Sequence, residues 1–327
     1  MKIFITGICG FIGANLSRAL IDLGNTVDGA DDLSTGLREN LPQGAHLYKI
    51  DIASDYFVFS KANGYIGDDY DLIIHLAAKK IPRDGAVRET LISNVLGVKN
   101  VVDLALAKKS KLLFMSTSDI YGKQSSFSEF SDSVIGPPWV GRWSYAISKM
   151  WGEQLLYATE GLDFRIIRLF GAYGPFQSFS WKAGAISVFI DQALRGEPYR
   201  IFDTGQQARC FEYIDDAVDG VLCLIDSWGL DIEAETFNIG NPNESVAMVD
   251  LARKIHNIVN PGKPFLTHSA SQTFDNKPFE EINKRIPDID MARTFLGFEP
   301  KISLDEGLRR TINWQKAVYI KKGIIDG

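Results

Sequence analysis

Cysteine is scarce in this 327-residue chain: Cys9, Cys210 and Cys223 are odd in number and far apart. That argues against a disulfide framework and against a zinc site. Histidine is as sparse, with His46, His75, His256 and His268 standing singly, so no metal site is expected. Positive charge is in deficit, 35 Lys and Arg against 41 Asp and Glu, for a formal net charge of -6. Such a balance offers no electrostatic reason to expect nucleic acid or an anionic membrane as a partner. No apolar run is read as long enough to span a bilayer, and the first apolar strand starts at residue 2, leaving no room for a leader; a cytoplasmic location is expected. Internal repeats and low-complexity segments are also missing. His75, inside Leu72-Ile73-Ile74-His75-Leu76, is expected to be a core or backbone-bonded histidine.

What is present is ordinary globular material, 45% hydrophobic and 23% charged, in a chain long enough for one large α/β unit or two associated domains. The stretch Lys2 to Gly13 reads as strand, tight turn and helix, with Gly7, Gly10 and Gly13 spaced by three around Phe11 and Ile12. Gly7 permits an unusual backbone angle, Gly10 lets main chain approach a pyrophosphate, and Gly13 lets helix and strand pack closely. The phosphates would meet the free N–H groups at the positive end of the helix. A second strand, Thr26 to Ala30, ends at Asp31-Asp32, roughly the twenty-residue distance at which a dinucleotide fold places its ribose-binding carboxylate. A carboxylate there repels a 2′-phosphate, so NAD rather than NADP is expected, on Asp31 with Asp32 beside it.

Further strands read as His46 to Ile50, Asp71 to Leu76, Lys111 to Ser116 and Phe164 to Phe170, alternating with helices through Asn94 to Leu106 and Tyr145 to Leu156. This alternation predicts a Rossmann-like, doubly wound parallel sheet with helices on both faces. Ser34 and Thr35 would touch the ribose phosphate or cap a helix, and Asp51-Ile52 would approach the adenine, unless Asp51 caps a helix. The small residues in Leu76-Ala77-Ala78 would let the cofactor lie against the backbone. Residues 1–170 are expected to form the NAD-binding domain, with returns near 206–240, and 171–327 mainly a smaller, interleaved substrate lobe.

Tyr145 and Lys149 lie four apart on a helix and so share a face. An ammonium there would draw the phenol pKa from about 10 towards neutrality, making a base for a sugar hydroxyl whose carbon loses hydride. Thr117 would share that proton.

Gly7-x-x-Gly10-Phe11-Ile12-Gly13, Asp31, Leu76-Ala77-Ala78, Asn94, Thr117-Ser118-Asp119-x-Tyr121-Gly122, Tyr145-x-x-x-Lys149, Tyr173-Gly174-Pro175 and Arg209 with Phe211-x-Tyr213 together resemble the extended short-chain dehydrogenase/reductase family. The likeness is greatest to its nucleotide-sugar epimerases and dehydratases, and covers nearly the whole chain. The resemblance implies a tightly held NAD, C4 oxidation of a nucleotide sugar by Tyr145, Lys149 also on the nicotinamide ribose, Asn94 in the cofactor site, and Arg209 and Arg285 on the diphosphate. Arg285 would otherwise be a surface ion pair. Lys79 and Arg83 would reach the sugar or its phosphates. A 4-epimerase is the leading expectation; the alternatives are a dehydratase or decarboxylase using Asp119, otherwise a turn carboxylate, or a net oxidoreductase. Asp119 is one methylene shorter than the glutamate of some relatives. Gly171 replaces an asparagine that relatives usually carry, removing a substrate hydrogen bond and opening space, which Phe176 to Trp181 would fill. The helices of Asn94 and Tyr145 resemble the family's dimer-forming pair, so a homodimer is expected.

Overall fold

The structure, a computed structural model, describes all residues except 63, 68, 81–85, 180–183, 231, 233, 271, 272, 275, 276, 279–281, 283 and 327. Arg83 and Trp181 therefore lie outside the described residues.

In chain order the strands are β1 (Lys2–Thr6), β2 (Thr26–Asp31), β3 (His46–Lys49), β4 (Leu72–His75), β5 (Lys111–Thr117), β6 (Phe164–Leu169), β7 (Ala172–Tyr173), β8 (Tyr199–Phe202), β9 (Ala208–Cys210), β10 (Glu212–Tyr213), β11 (Thr236–Ile239), β12 (Ser245–Ala247), β13 (Thr267–Ala270), β14 (Thr273–Phe274), β15 (Lys277–Pro278) and β16 (Lys284–Arg285). The helices are α1 (Phe11–Asp22), α2 (Asp55–Ala62), α3 (Val87–Lys108), α4 (Ser144–Tyr157), α5 (Ala185–Arg195), α6 (Ile214–Asp226), α7 (Met248–Val259) and α8 (Leu304–Lys321).

Seven strands form one parallel sheet in the order β11-β6-β5-β4-β1-β2-β3. Strands buried on both faces need unbroken apolar sequence, which Ile3-Phe4-Ile5 and Leu72-Ile73-Ile74 supply. On one face, α1 and α6 cover Ile3, Ile5 and Leu113; on the other, Val98, Val101 and Leu104 of α3 and Leu156 of α4 cover Phe4, Ile73 and Phe114. Each of these buried side chains contributes roughly 1.5–3 kcal/mol. The strand order reverses between β1 and β4, which opens the crevice at the strands' carboxyl ends where a doubly wound sheet binds its ligand.

β11 enters the main sheet beside β6, bringing residues from the second half of the chain to its edge. The remaining short strands build small ladders over it, notably β12-β9-β16 and β10-β7. Phe176 and Phe179 pack against Trp314 of α8, with ring centroids 5.7 and 5.3 Å apart. These aromatics tie residues 176–179 to α8. Against expectation, α3 is long and apolar enough to cross a membrane by length and composition; half of its most apolar stretch is buried inside the molecule.

Candidate active site

At the β1–α1 turn, Gly7 has φ +75° and a Cβ there would lie 2.9 Å from the Ala77 nitrogen. Its missing side chain is demanded by the neighbouring β4 loop. Gly13 is tighter still: a Cβ would stand 2.2 Å from the Gly7 carbonyl oxygen, so helix and turn are in direct backbone contact. α1 begins without a side-chain cap and without an acidic residue in its first turn. Its leading amides, those of Phe11 and Ile12 among them, and the positive dipole end are thus left to an anion.

Asp31, 7% exposed at the end of β2, accepts the Cys9 amide at 2.9 Å and the Leu33 amide at 2.9 Å on separate carboxylate oxygens. Burial raises its pKa, and those two N–H bonds oppose the rise. Both oxygens retain lone pairs, which suits a ribose diol. Gly36 closes over this carboxylate; a Cβ there would meet both oxygens at 2.9 Å. The polar turn Ser34-Thr35-Gly36 carried that signal in the sequence, although the hydroxyls drew attention instead. Asp32 is exposed and receives the Ser34 amide and hydroxyl at 2.8 and 2.7 Å, and Thr35 is exposed. Asp51 accepts the Ala53 amide at 2.8 Å in the turn before α2, while Ile52 is buried against α3. The turn at Gly7, the uncapped helix and Asp31 fit the diphosphate and ribose of NAD.

Behind this crevice, Thr6 Oγ1 bonds His75 Nδ1 at 2.7 Å and accepts the Ala77 amide at 3.2 Å, fixing the Leu76-Ala77-Ala78 exit from β4. His75 is buried and stacks on Phe114; burial first, then the charge of Lys149, hold its pKa well below the usual value. Asn94 spends its side chain on structure. It accepts the Lys79 amide at 2.8 Å, donates to the Lys79 carbonyl at 3.1 Å and to Ser148 Oγ at 2.9 Å, tying the β4 exit to α4.

The end of β5 and the start of α4 bring Thr117, Asp119 and Tyr145 together. Thr117 caps the 3-10 turn Ser118–Tyr121 by accepting the Asp119 amide at 3.2 Å. Tyr145 is raised above its ordinary pKa by burial and then by the charge of Asp119, and a hydrogen bond with Thr117 opposes this. Lys149 does not reach along the helix to the phenol. It is 3% exposed, donates to the Met115 carbonyl at 2.7 Å and lies over the Phe114 ring. Burial lowers its pKa to about 7, against the charge of Glu153. The shared helix face is real, but the buried β5 carbonyl captures the amine, so the phenol stands above, not below, its free value here.

Arg209 and Arg285 are register partners on adjacent strands β9 and β16. Their side chains part: Arg209 Nη1 donates to the Ala208 carbonyl at 2.8 Å, whereas Arg285 Nη1 reaches Asp119 Oδ1 at 2.8 Å and Ser118 Oγ at 3.2 Å. Arg285 is therefore an ion-pair partner at the end of β5. Burial pushes the Asp119 carboxyl up, but the positive charges of Arg285, Arg142 and Lys80 outweigh it and hold the group well below the usual range. Gly171 corrects another expectation. With φ +39° and the Cys210 carbonyl oxygen 2.5 Å from where a Cβ would stand, the position is closed by main chain and opens no space. Lys79 is half-buried through its clamped backbone.

The sequence profile described as "NAD dependent epimerase/dehydratase family" matches residues 3–240. The chain belongs to that family. Among its relatives is the UDP-N-acetyl-alpha-D-glucosaminuronate decarboxylase of Bacillus cytotoxicus, 32% identical over 326 residues, covering 97% of this chain and 98% of that protein. Similar solved structures include the UDP-glucose 4-epimerase of Thermotoga maritima with UDP-glucose (TM-score 0.84, 27% identity, 97% and 99% covered). A variant of the Bacillus cereus UDP-glucuronic acid 4-epimerase, with UDP-4-deoxy-4-fluoro-glucuronic acid and NAD, is alike to a TM-score of 0.84 at 26% identity, with 98% and 100% covered.

Three further groups stand out only in the structure. Ser118, in the Thr117-Ser118-Asp119 run, accepts from Arg285, and Arg142, three residues before Tyr145, puts its charge on Asp119. Glu212 of β10 is fully buried, and neither of its carboxylate oxygens has a hydrogen-bond partner among the described residues. Burial, then the charge of Asp216, pushes its pKa well above the usual carboxylate range.

Proposed function

We propose that this family member holds NAD and oxidises the sugar of a UDP-linked uronic acid at C4, after which the sugar loses carbon dioxide. The observation that carries the reading is the pair Asp119–Arg285, 2.8 Å apart and 27% and 12% exposed, beside Thr117 and Tyr145. The similarity to a uronate decarboxylase over nearly the whole chain supports it. NAD, which the α1 amides and Asp31 would hold, would supply a hydride acceptor and later a hydride donor for C4. In the ligand-free chain the phenol is protonated; with NAD bound, the positive nicotinamide would draw its pKa down, and Tyr145 as phenolate would take the O4 proton, with Thr117 orienting that hydroxyl. The resulting ketone makes the sugar a β-keto acid. The C5–C6 bond breaks, carbon dioxide leaves, and the electron pair moves to an enolate whose oxygen is held by Tyr145 and Thr117. Asp119, kept ionised by Arg285, forms with it a polar pair beside Thr117 and Tyr145 that C4 oxidation alone does not need. C5 takes a proton from solvent, C4 is reduced again, and Tyr145 returns its proton to O4.

A second reading, C4 epimerisation of the same class of substrate, draws on the Bacillus cereus likeness. It needs the same base and no group on the C5 side. Incubation with UDP-glucuronic acid followed by mass measurement separates them. Decarboxylation lowers the mass by one carbon dioxide; epimerisation leaves it unchanged with C4 inverted. Tyr145→Phe should lower kcat by about 10²-fold or more while bound NAD is retained, and full activity in that variant would refute the base. The exposed apolar residues Ile92 and Leu96 of α3 and Ile147 and Trp151 of α4 fit a homodimer surface.

A further inference from the structure

A polar row crosses the apolar sheet one residue before Thr117. Ser116 of β5, Arg168 of β6 and Asn238 of β11 are register partners on three adjacent strands, and the row before them is Met115, Ile167 and Phe237. Glu153 of α4, 5% exposed, lies over the polar row. It accepts the Ser116 hydroxyl on Oε1 and is gripped by Arg168, whose Nη2 stands 2.7 Å from Oε2 and whose Nε stands 3.1 Å from Oε1. The remaining Arg168 nitrogen, Nη1, donates to Tyr121 Oη at 3.1 Å, and Tyr121 donates to Asn238 Oδ1 at 2.7 Å. The row thus also holds the far end of the 3-10 turn Ser118–Tyr121, which Thr117 caps.

Lys149 and Glu153 stand one turn apart on α4 and reach successive residues of β5: the amine donates to the Met115 carbonyl at 2.7 Å, and the carboxylate takes the Ser116 hydroxyl. Net stability is a poor reason for such a row, because apolar residues of equal volume often replace a buried ion pair without loss. Its geometry suits placement instead. We propose that Glu153, locked by Arg168 and Ser116, is a positioning residue that places the Lys149 side chain and the Thr117 end of β5 relative to Tyr145. This rests on the C4-oxidation reading above, in which Tyr145 and Thr117 must meet one hydroxyl. The charge of Glu153 also opposes the loss of the Lys149 proton that burial favours. His75 of β4, which feels the same amine, is kept neutral by burial; Tyr145, one turn earlier on α4, keeps its proton; and Arg168 is spent on Glu153. The amine should therefore respond to the loss of Glu153.

The test reads steady-state kinetics of the NAD-loaded protein with UDP-glucuronic acid. Glu153→Gln, which keeps the size and removes the charge, should lower kcat by about tenfold or more, with KM within about threefold and bound NAD retained. Glu153→Asp keeps the charge and should recover part of kcat. Ser116→Ala leaves the ion pair whole and should cost less than Glu153→Gln. Should Glu153→Gln fail to fold, Ser116→Ala decides: a kcat loss of about threefold at constant KM supports the proposal, and an unaltered kcat overturns it. A second readout needs no turnover. In the NAD-saturated chain without substrate, a double-mutant cycle of Glu153→Gln and Lys149→Met, read by denaturant unfolding at about pH 6 where the amine is charged, should show coupling between the two positions. A kcat for Glu153→Gln within about threefold of the unaltered protein, a loss carried by KM, or a cycle without coupling would overturn the assignment. Absent turnover with the coupling intact removes the C4 reading and leaves Glu153 as the residue that places Lys149.

Discussion

Lys149 is an amine whose cost depends on pH. Its folded pKa is about 7 against an ordinary 10.5, with burial the cause. Below about pH 7 folded and unfolded chains both carry the ammonium, and its burial is opposed in full. Between about 7 and 10.5 only the unfolded chain keeps the proton, so this residue's contribution to stability rises with pH, by up to about 1.4 kcal/mol per unit. The ligand-free protein should therefore gain stability relative to Lys149→Met as the pH climbs from 7 to 9, checked by denaturant unfolding of both; parallel curves would show that the amine is not buried as described. At this scale the sequence told where side chains start, not where they end. The four-residue spacing put Tyr145 and Lys149 on one face, but nothing local announces that the Met115 carbonyl, 34 positions earlier, will take the amine. Arg285 was named only through the family resemblance, as a diphosphate ligand, and its turn towards Asp119 was not legible.

Elements were read best where burial forces a repeating pattern. β1, β2, β4, β5 and β6 are apolar runs ended by turns, and their order alone implied the parallel sheet. β7, β10, β14, β15 and β16 are two residues long, too short for any periodicity, and were not read. α8 was mostly missed because its apolar positions, Leu304, Leu308, Ile312 and Tyr319, form a thin stripe in a charged helix. The joint between β1 and α1 yields a sharp expectation. Gly13→Ala places a carbon 2.2 Å from the Gly7 oxygen and 2.8 Å from Ile8 Cα, so α1 must move off the sheet. A loss of about 2–4 kcal/mol in unfolding free energy, with NAD binding weakened alongside it, is expected from calorimetry and NAD titration. Ala at Gly10, where the nearest atom is 3.2 Å away, should cost less.

For the whole molecule, α3 and α4 pack on each other yet keep apolar residues outside: Ile92 and Leu96 on one, Ile147 and Trp151 on the other, 37% to 42% exposed. Both pairs are spaced by four, so each helix offers a stripe. Light scattering should give twice the 36.4 kDa chain mass, and Leu96→Glu should return it to that of one chain. A single-chain mass for the unaltered protein would remove the homodimer. The return of β11 to the sheet edge was legible only in outline, as a return near 206–240, since it depends on pairing with β6 about 70 residues earlier, a contact that no local window holds.

Glu212 gives folding itself a proton stoichiometry. A carboxyl sealed in β10 without a partner among the described residues keeps its proton to higher pH in the folded chain than in the unfolded one, so above the unfolded pKa forming the structure draws protons from the medium. The heat of unfolding above that pH should then vary with the ionisation enthalpy of the buffer, and Glu212→Gln should flatten that dependence. The same accounting makes the parent chain lose ground against Glu212→Gln as the pH rises above about 4.5, the reverse of the trend at Lys149.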